Sequence, residues 1–203
     1  MRLMSDPYFF GYGSLVNRRT HVYAPALKAS IGGWRRRWCA TDLRPAAFLT
    51  AVPAPPDQRI DGMIAPVPGS DWSALDLREA GYDRHPAGDV RHTHGDDLSI
   101  AVYAMPERHL AAERDCPILL SYLDVVVQGF LTEFGPEGVA RFFHTTDDWH
   151  LPVADDRAAP LYPRAQTLTR DEAAMTDCWL DHVGAKRVPA TDTELGRDAA
   201  PTA

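Results

Sequence analysis

Apolar and polar positions change period several times along the chain, and each change marks an element. Tyr8-Phe9-Phe10-Gly11-Tyr12-Gly13 is aromatic and closed by glycine, the pattern of a buried strand running into a tight turn at Gly13-Ser14, with a short helical stretch from Asn17. Ala29 to Thr41, Ala47 to Pro53 and Arg59 to Pro66 mix β-branched and aromatic residues with Pro, Asp and Gly punctuation, the rhythm of short strands, and Ser99 to Tyr103 adds another. Asp71 supplies an N-cap for a helix through Trp72, Leu75 and Glu79 that ends near Gly81. A longer helix is expected to begin by Pro117 and run from Ile118 to Phe134, stopped by Gly135-Pro136, with further helices over Glu137 to Thr145 and Arg170 to Val183. Strands come first and helices mostly later, which predicts an α+β fold: a small mixed β-barrel or strongly curved sheet with flanking helices, not an alternating doubly wound sheet.

The 203 residues suit a single domain over 1–188, with a core over about 8–134 and a helical, wrapping extension over about 135–188. The stretch 189–203 carries almost no large apolar residue and is expected to be a mobile tail. Hydrophobic residues at 45% and charged residues at 24% are ordinary globular usage and exclude a disordered or coiled-coil chain. Lys and Arg number 21 against 28 Asp and Glu, a net charge of -7, which argues against a nucleic-acid partner. The basic run Arg35-Arg36-Arg37 is flanked by Trp34 and Trp38 and reads as a solvated strand edge. The most apolar stretch, Ile118 to Leu131, is interrupted by Asp124 and Gln128, and the N-terminus lacks the apolar run of a signal peptide, so no membrane partner is expected. Cys39, Cys116 and Cys178 lie far apart, which fits buried thiols in a reducing, cytoplasmic compartment. Nothing in the sequence sets an oligomeric state.

Few residues stand out chemically. Glu79 shares a helical face with Trp72 and Leu75, so a carboxylate falls on a stripe that should be apolar. If that stripe faces a pocket, desolvation raises the pKa of Glu79 and suits it to acid and base work near neutral pH; otherwise it is a helix-end carboxylate meeting water, Arg78 or Arg84. Tyr122 sits with Ile118, Val125 and Gly129 on one side of the long helix, away from the narrow polar strip of Ser121, Asp124 and Gln128. Its buried hydroxyl needs a partner, either backbone or a ligand. The turn Gly11-Tyr12-Gly13-Ser14-Leu15 permits close backbone approach and can aim N–H groups at a carboxylate or oxyanion. A dinucleotide fingerprint there would need glycine at Val16, and a nucleophile elbow around Ser14 would need glycine at Tyr12 and Val16, so neither motif is met. His92-Thr93-His94 with Asp96 and Asp97 lacks a third ligand at metal-site spacing and reads as a polar hairpin, so no metal is expected. Trp149 to Gln166, rich in proline and charge, reads as an ordered wrapping loop.

Phe10-Gly11-Tyr12-Gly13-Ser14-Leu15, Gly33-Trp34-Arg35-Arg36-Arg37, Gly62-Met63-Ile64 and Leu75-Asp76-Leu77-Arg78-Glu79 with Tyr82 together resemble the γ-glutamylcyclotransferase superfamily, with its ChaC and AIG2-like branches. The resemblance spans roughly Tyr8 to Phe134, and Tyr122 with the valines after it resembles the tyrosine helix of that family. It implies a small β-barrel and a pocket that cyclises a γ-glutamyl amide to 5-oxoproline, releasing the amine, without a cofactor. By the family's pattern Tyr12, Gly13, Ser14 and Leu15 would hold the γ-glutamyl group, Glu79 would be the general acid/base, and Tyr82 and Tyr122 would bind the small-molecule substrate. The Gly33 to Cys39 segment looks ChaC-like and points to glutathione, whereas Glu79 to Arg84 is closer to other branches, which leaves γ-glutamyl amino acids and γ-glutamylamines as further substrates. The alternative is a non-catalytic member that binds a small metabolite, since a fold does not guarantee chemistry.

Overall fold

The computed structural model describes residues 6–95, 97–114 and 116–195. Strands β1 (Tyr8–Gly11), β2 (Leu27–Gly32), β3 (Trp34–Cys39), β4 (Phe48–Pro53) and β5 (Arg59–Pro66) precede a short helix α1 (Ser73–Arg78). Then follow β6 (Asp83–Pro86), β7 (Val90–His92), β8 (Ile100–Ala104), β9 (Ile118–Leu119) and the long helix α2 (Leu120–His144). The last elements are β10 (Thr146–Asp147), β11 (Val153–Asp155), α3 (Arg170–His182) and β12 (Arg187–Pro189).

The strands form three sheets in the orders β6-β8-β1-β5-β2-β7, β10-β3-β4 and β12-β11-β9. β1 lies inside the largest sheet, antiparallel to β5 (Phe10 opposite Ile64) and parallel to β8 (Phe10 opposite Val102), and all four of its residues are buried. The α+β class holds, but the sheets do not close into the expected barrel. The stretch from Ala29 to Thr41 breaks at Gly33, whose φ of +74° turns the chain out of β2, and β3 then pairs with β4 instead of extending the large sheet. Short strands, β6 and β7, are left as its edges.

α2 spans both helical segments expected before and after Gly135-Pro136, which meet at a kink where Gly135 takes φ +69°. Gly129 on α2 lets the helix approach the turn after β1: a Cβ there would fall 2.7 Å from the Asn17 backbone nitrogen. Asn17 answers with hydrogen bonds from Nδ2 to the Val125 carbonyl at 3.0 Å and to Gln128 Oε1 at 2.9 Å. The polar strip of α2 is also buried, because the C-terminal third lies on it. Asp124 binds Arg157, Ser121 binds Asp156, and Gln128 Nε2 donates to the Thr167 carbonyl and to Glu172. These polar contacts therefore fix the segment between β11 and α3. α3 itself starts in a capping box between Thr169 and Glu172.

Candidate active site

The site is built on the turn after β1. At Gly11 a Cβ would meet Leu15 Cβ at 2.5 Å, so only glycine lets the chain double back there. Gly13 then caps a 3-10 turn over Ser14–Val16. Three carbonyls of this turn are held from the protein side. Arg36 Nε donates to the Tyr12 carbonyl at 2.9 Å, Thr20 Oγ1 to the Ser14 carbonyl at 2.9 Å, and His21 Nε2 lies 3.0 Å from the Leu15 carbonyl. The peptide planes are thereby fixed before any ligand arrives.

Arg36 corrects the reading of the basic run as a solvated strand. Its side chain is 0% exposed and lies over the rings of Phe130 and Phe142, 4.9 and 5.2 Å from their centroids. Besides Tyr12 it binds Thr145 Oγ1 and the Asp61 carbonyl. Arg35 and Arg37 pair instead with Asp147 and Asp148. The signal was present in the period-2 face that Arg36 shares with Trp34 and Trp38, which marks an inward position.

Glu79 sits one residue past α1, as its C-cap, with its N–H bonded to the Leu75 carbonyl at 2.9 Å. The helix is thus shorter than expected. Its N-terminus is stabilised by Asp71, whose Oδ1 accepts from the Ser73 N–H at 3.0 Å, although the capping position itself is Trp72. The Glu79 side chain is 18% exposed and pairs with Arg78 Nε at 3.2 Å, while Arg84 lies over the Trp72 ring. Burial raises the Glu79 pKa above the ordinary carboxylate value, and the opposing charges of Arg78 and Arg164 reduce the rise without cancelling it. Arg78 also donates to the Thr20 carbonyl at 2.7 Å and to Ser14 Oγ at 3.2 Å, so one guanidinium ties the carboxylate to the turn.

Glu79 opens onto a cavity of about 320 Å³ whose wall includes Ser14, Tyr82, Tyr122, Tyr162 and Arg164. A smaller hollow of about 30 Å³ adjoins it, lined by residues 10 to 15 together with Glu79, Tyr82, Tyr103 and Tyr122. The structure therefore brings the expected site residues together but sorts them. Ser14, Glu79, Tyr82 and Tyr122 border both spaces, whereas Tyr12, Gly13 and Leu15 border only the smaller one. Tyr12 turns its hydroxyl to the Tyr103 carbonyl at 2.7 Å, and Tyr82 donates to the Leu49 carbonyl at 2.8 Å. Tyr122 receives a hydrogen bond from the Ser14 backbone, and burial among Tyr162, Glu79 and Tyr12 holds its phenol well above the ordinary value, so it stays protonated. The glycine it meets in space is Gly13, not Gly129.

Ser14 Oγ is engaged by Arg78, and His21, the imidazole beside the turn, faces Leu15 and Tyr23, so the turn holds no serine–imidazole pair. His92 and His94 have ring centroids 6.3 Å apart; among the described residues, no group of three or more His, Cys, Asp or Glu is placed to hold a metal ion. Sequence reasoning missed Arg78, Tyr162 and Arg164. Arg78 was visible as the neighbour of Glu79, but Tyr162 and Arg164 reach the cavity through a loop with no periodic pattern to read.

A model of the ChaC-like protein family matches residues 7–115, a span from β1 through β8 that includes the turn and Glu79 but ends before Tyr122. No curated protein matches the sequence at a significant level. Among solved structures, the chain superimposes on YkqA from Bacillus subtilis with a TM-score of 0.55 at 16% identity, covering 68% of this chain and 53% of that one. The chain thus spans about half the length of that protein. A structure described as a gamma-glutamyl cyclotransferase aligns with a TM-score of 0.55 at 14% identity, over 85% of this chain and 99% of its own. An uncharacterized protein from Homo sapiens gives 0.55 at 15% identity, again over 85% and 99%. At these identities the likeness concerns the fold.

Proposed function

This chain belongs to the ChaC-like protein family, within the γ-glutamylcyclotransferase superfamily, and from that premise we propose that it cyclises a γ-glutamyl amide to 5-oxoproline and releases the amine. The observation that carries the reading is a carboxylate with a raised pKa, Glu79, on a cavity wall beside a turn whose peptide planes are fixed.

In the reaction the substrate's α-amine nitrogen bonds to its own γ-carbonyl carbon, and the bond from that carbon to the amide nitrogen breaks. Glu79, ionised, takes the proton that the attacking amine gives up and delivers it to the departing nitrogen. One carboxylate with a raised pKa serves both steps, and the side chains present require no added cofactor for them. The attack is intramolecular, so holding the γ-glutamyl chain folded supplies a large share of the acceleration, by principle up to about 7–11 kcal/mol. The turn side of the site is assigned to the γ-glutamyl head, whose oxygens enter the smaller hollow at Tyr12, Gly13 and Leu15 toward backbone N–H donors while its body lies in the adjoining larger cavity between Ser14, Glu79, Tyr82 and Tyr122. Tyr82 and Tyr122 shape the wall, and Tyr122 exchanges its bond with Ser14 for one with substrate.

We take residues 1–188 as one functional domain, because the segment between β11 and α3 contributes Tyr162 and Arg164 to the same cavity wall as Glu79; of the stretch 189–203 expected as a tail, Pro189 lies in β12, Leu195 reaches that wall, and 196–203 lie outside the described residues. Among the described residues no helix is long and apolar enough to cross a membrane, and none of the three cysteines is in a disulfide; Cys39 and Cys116 are buried as expected, whereas Cys178 is exposed on α3. The cysteine pattern supports a cytoplasmic setting. Release of 5-oxoproline from γ-glutamyl compounds tests the reaction; glutathione, γ-glutamyl amino acids and γ-glutamylamines are the candidate substrates.

A further inference from the structure

The charged side chains that line the larger cavity are Arg44, Arg78, Arg164 and Glu79. Three cations against one anion is an unusual balance in a chain whose net charge is -7. Arg78 is accounted for by Glu79, Thr20 and Ser14. Arg164 is opposed by the charge of Glu79 alone, without a hydrogen bond to it, and Arg44 is not accounted for. Among the described residues neither makes an ion pair, and Arg44 has only the Phe48 ring beneath it, 5.9 Å from its guanidinium carbon. The arginines that do pair elsewhere, such as Arg108 with Asp83 and Arg59 with Asp89, find carboxylates at 2.6 Å.

The two come from separate parts of the fold. Arg44 lies between β3 and β4, next to Pro45, Ala46 and Ala47 of the cavity wall, and Arg164 lies in the segment between β11 and α3. Leu161, Tyr162 and Pro163 supply apolar wall beside Arg164. Such a setting weakens competition from water for a guanidinium that has an anion to bind. The γ-glutamyl head carries its own carboxylate, but the turn side of the site, with its backbone donors, is assigned to that end. The larger cavity, with Arg44 and Arg164 on its wall, is left to the rest of the substrate.

We propose that Arg164 and Arg44 form a subsite for the carboxylate of the leaving group, so that the protein selects γ-glutamyl amino acids and peptides over γ-glutamylamines. This rests on the cyclotransferase reading for the position of the scissile bond. The selection acts in both directions: an anionic leaving group gains charge-assisted hydrogen bonds, and a cationic one meets two like charges. Arg164 is the stronger determinant, because it is half-buried and faces the same space as Glu79, whereas Arg44 is exposed.

The test compares γ-glutamyl-alanine with γ-glutamyl-alaninamide, which differ at the leaving-group carboxylate alone. The kcat/KM ratio of acid to amide should be about tenfold or more in the wild type, as expected for a charged hydrogen bond made to one compound only. In Arg164→Gln it should fall toward one through a rise in KM for the acid, with Arg164→Lys intermediate and Arg44→Gln less affected. Binding of the same two compounds to the Glu79→Gln variant, followed by calorimetry, separates this inference from the chemistry. Turnover without preference for the acid overturns the subsite and leaves the cyclotransferase reading standing. Preferential binding of the acid that Arg164→Gln abolishes, with no turnover by the wild type, supports an anion subsite and overturns the cyclotransferase reading. Absence of both binding and turnover overturns both.

Discussion

Tyr122 stands so close to Gly13 that a Cβ added to the glycine would fall 2.7 Å from the tyrosine hydroxyl and 3.3 Å from Leu49 Cδ2. The long helix thus presses its phenol onto the turn that the proposal gives to the γ-glutamyl head. Gly13→Ala should overpack this contact and cost about 1–3 kcal/mol of stability, with a loss of turnover as the turn shifts. Removing the hydroxyl in Gly13→Ala/Tyr122→Phe should recover part of the stability. Urea denaturation of both variants and of Tyr122→Phe alone gives the coupling; strictly additive effects would show that the contact is not the cause.

Glu79 has a raised pKa in the folded protein, so the native state holds its proton more tightly than the unfolded chain does. The stability this gives is complete below the unfolded value, near 4.5, and is lost as pH rises through the higher folded value. Glu79→Gln should remove that slope, leaving a variant that is relatively more stable than the wild type toward neutral pH. Denaturation midpoints taken from pH 4 to 8 check the sign. The acid limb of kcat/KM should likewise lie above the ordinary carboxylate range, because the base must be ionised to accept the amine proton.

Arg36→Met removes the donor to the Tyr12 and Asp61 carbonyls from a fully buried site. Stranding these acceptors should cost about 2–6 kcal/mol, at one to three for each carbonyl. KM should rise as well, since the Tyr12 peptide plane loses its anchor. Thermal unfolding and steady-state kinetics on the same preparation check the pair of effects.

Arg157 neutralises Asp124, a carboxylate that is 3% exposed on α2, with bonds at 2.7 and 2.8 Å. Burial raises the Asp124 pKa and Arg157 opposes the rise. Arg157→Ala should therefore leave an uncompensated buried charge and cost about 3–5 kcal/mol, while Arg157→Ala/Asp124→Asn should recover much of it. Chemical denaturation of the two variants checks this. A double variant no better than the single one would show that lost packing, not charge, is responsible.

The sequence was most legible where one residue type admits a single role. Gly11 and Gly13 marked the turn, and Glu79 betrayed a pocket by its place beside Leu75 and Trp72 on an apolar stripe. The strands from Tyr8 to Pro66 were visible from their composition, but their closure was not, since one positive φ at Gly33 redirects β3 into a second sheet. Arg36 was read as solvated because charge outweighed its alternation with Trp34 and Trp38, and the structure satisfies that charge with carbonyls and ring faces. Tyr162 and Arg164 were hidden for a different reason. They reach the site through tertiary anchoring at Asp124, Ser121 and Gln128, whose polar strip on α2 looks solvent-facing until its partners, far along the chain, are in place.

The central claim is that Glu79 moves the protons in an intramolecular cyclisation. The most direct measurement is 5-oxoproline release from glutathione, γ-glutamyl-alanine and a γ-glutamylamine by the wild type and by Glu79→Gln at equal concentration. The account predicts release by the wild type and a kcat lower by about 100-fold or more in the variant, with the fold and ligand binding retained. A folded variant with wild-type kcat would contradict the role of Glu79, and a folded wild type that releases no 5-oxoproline from any of the three would contradict the activity itself.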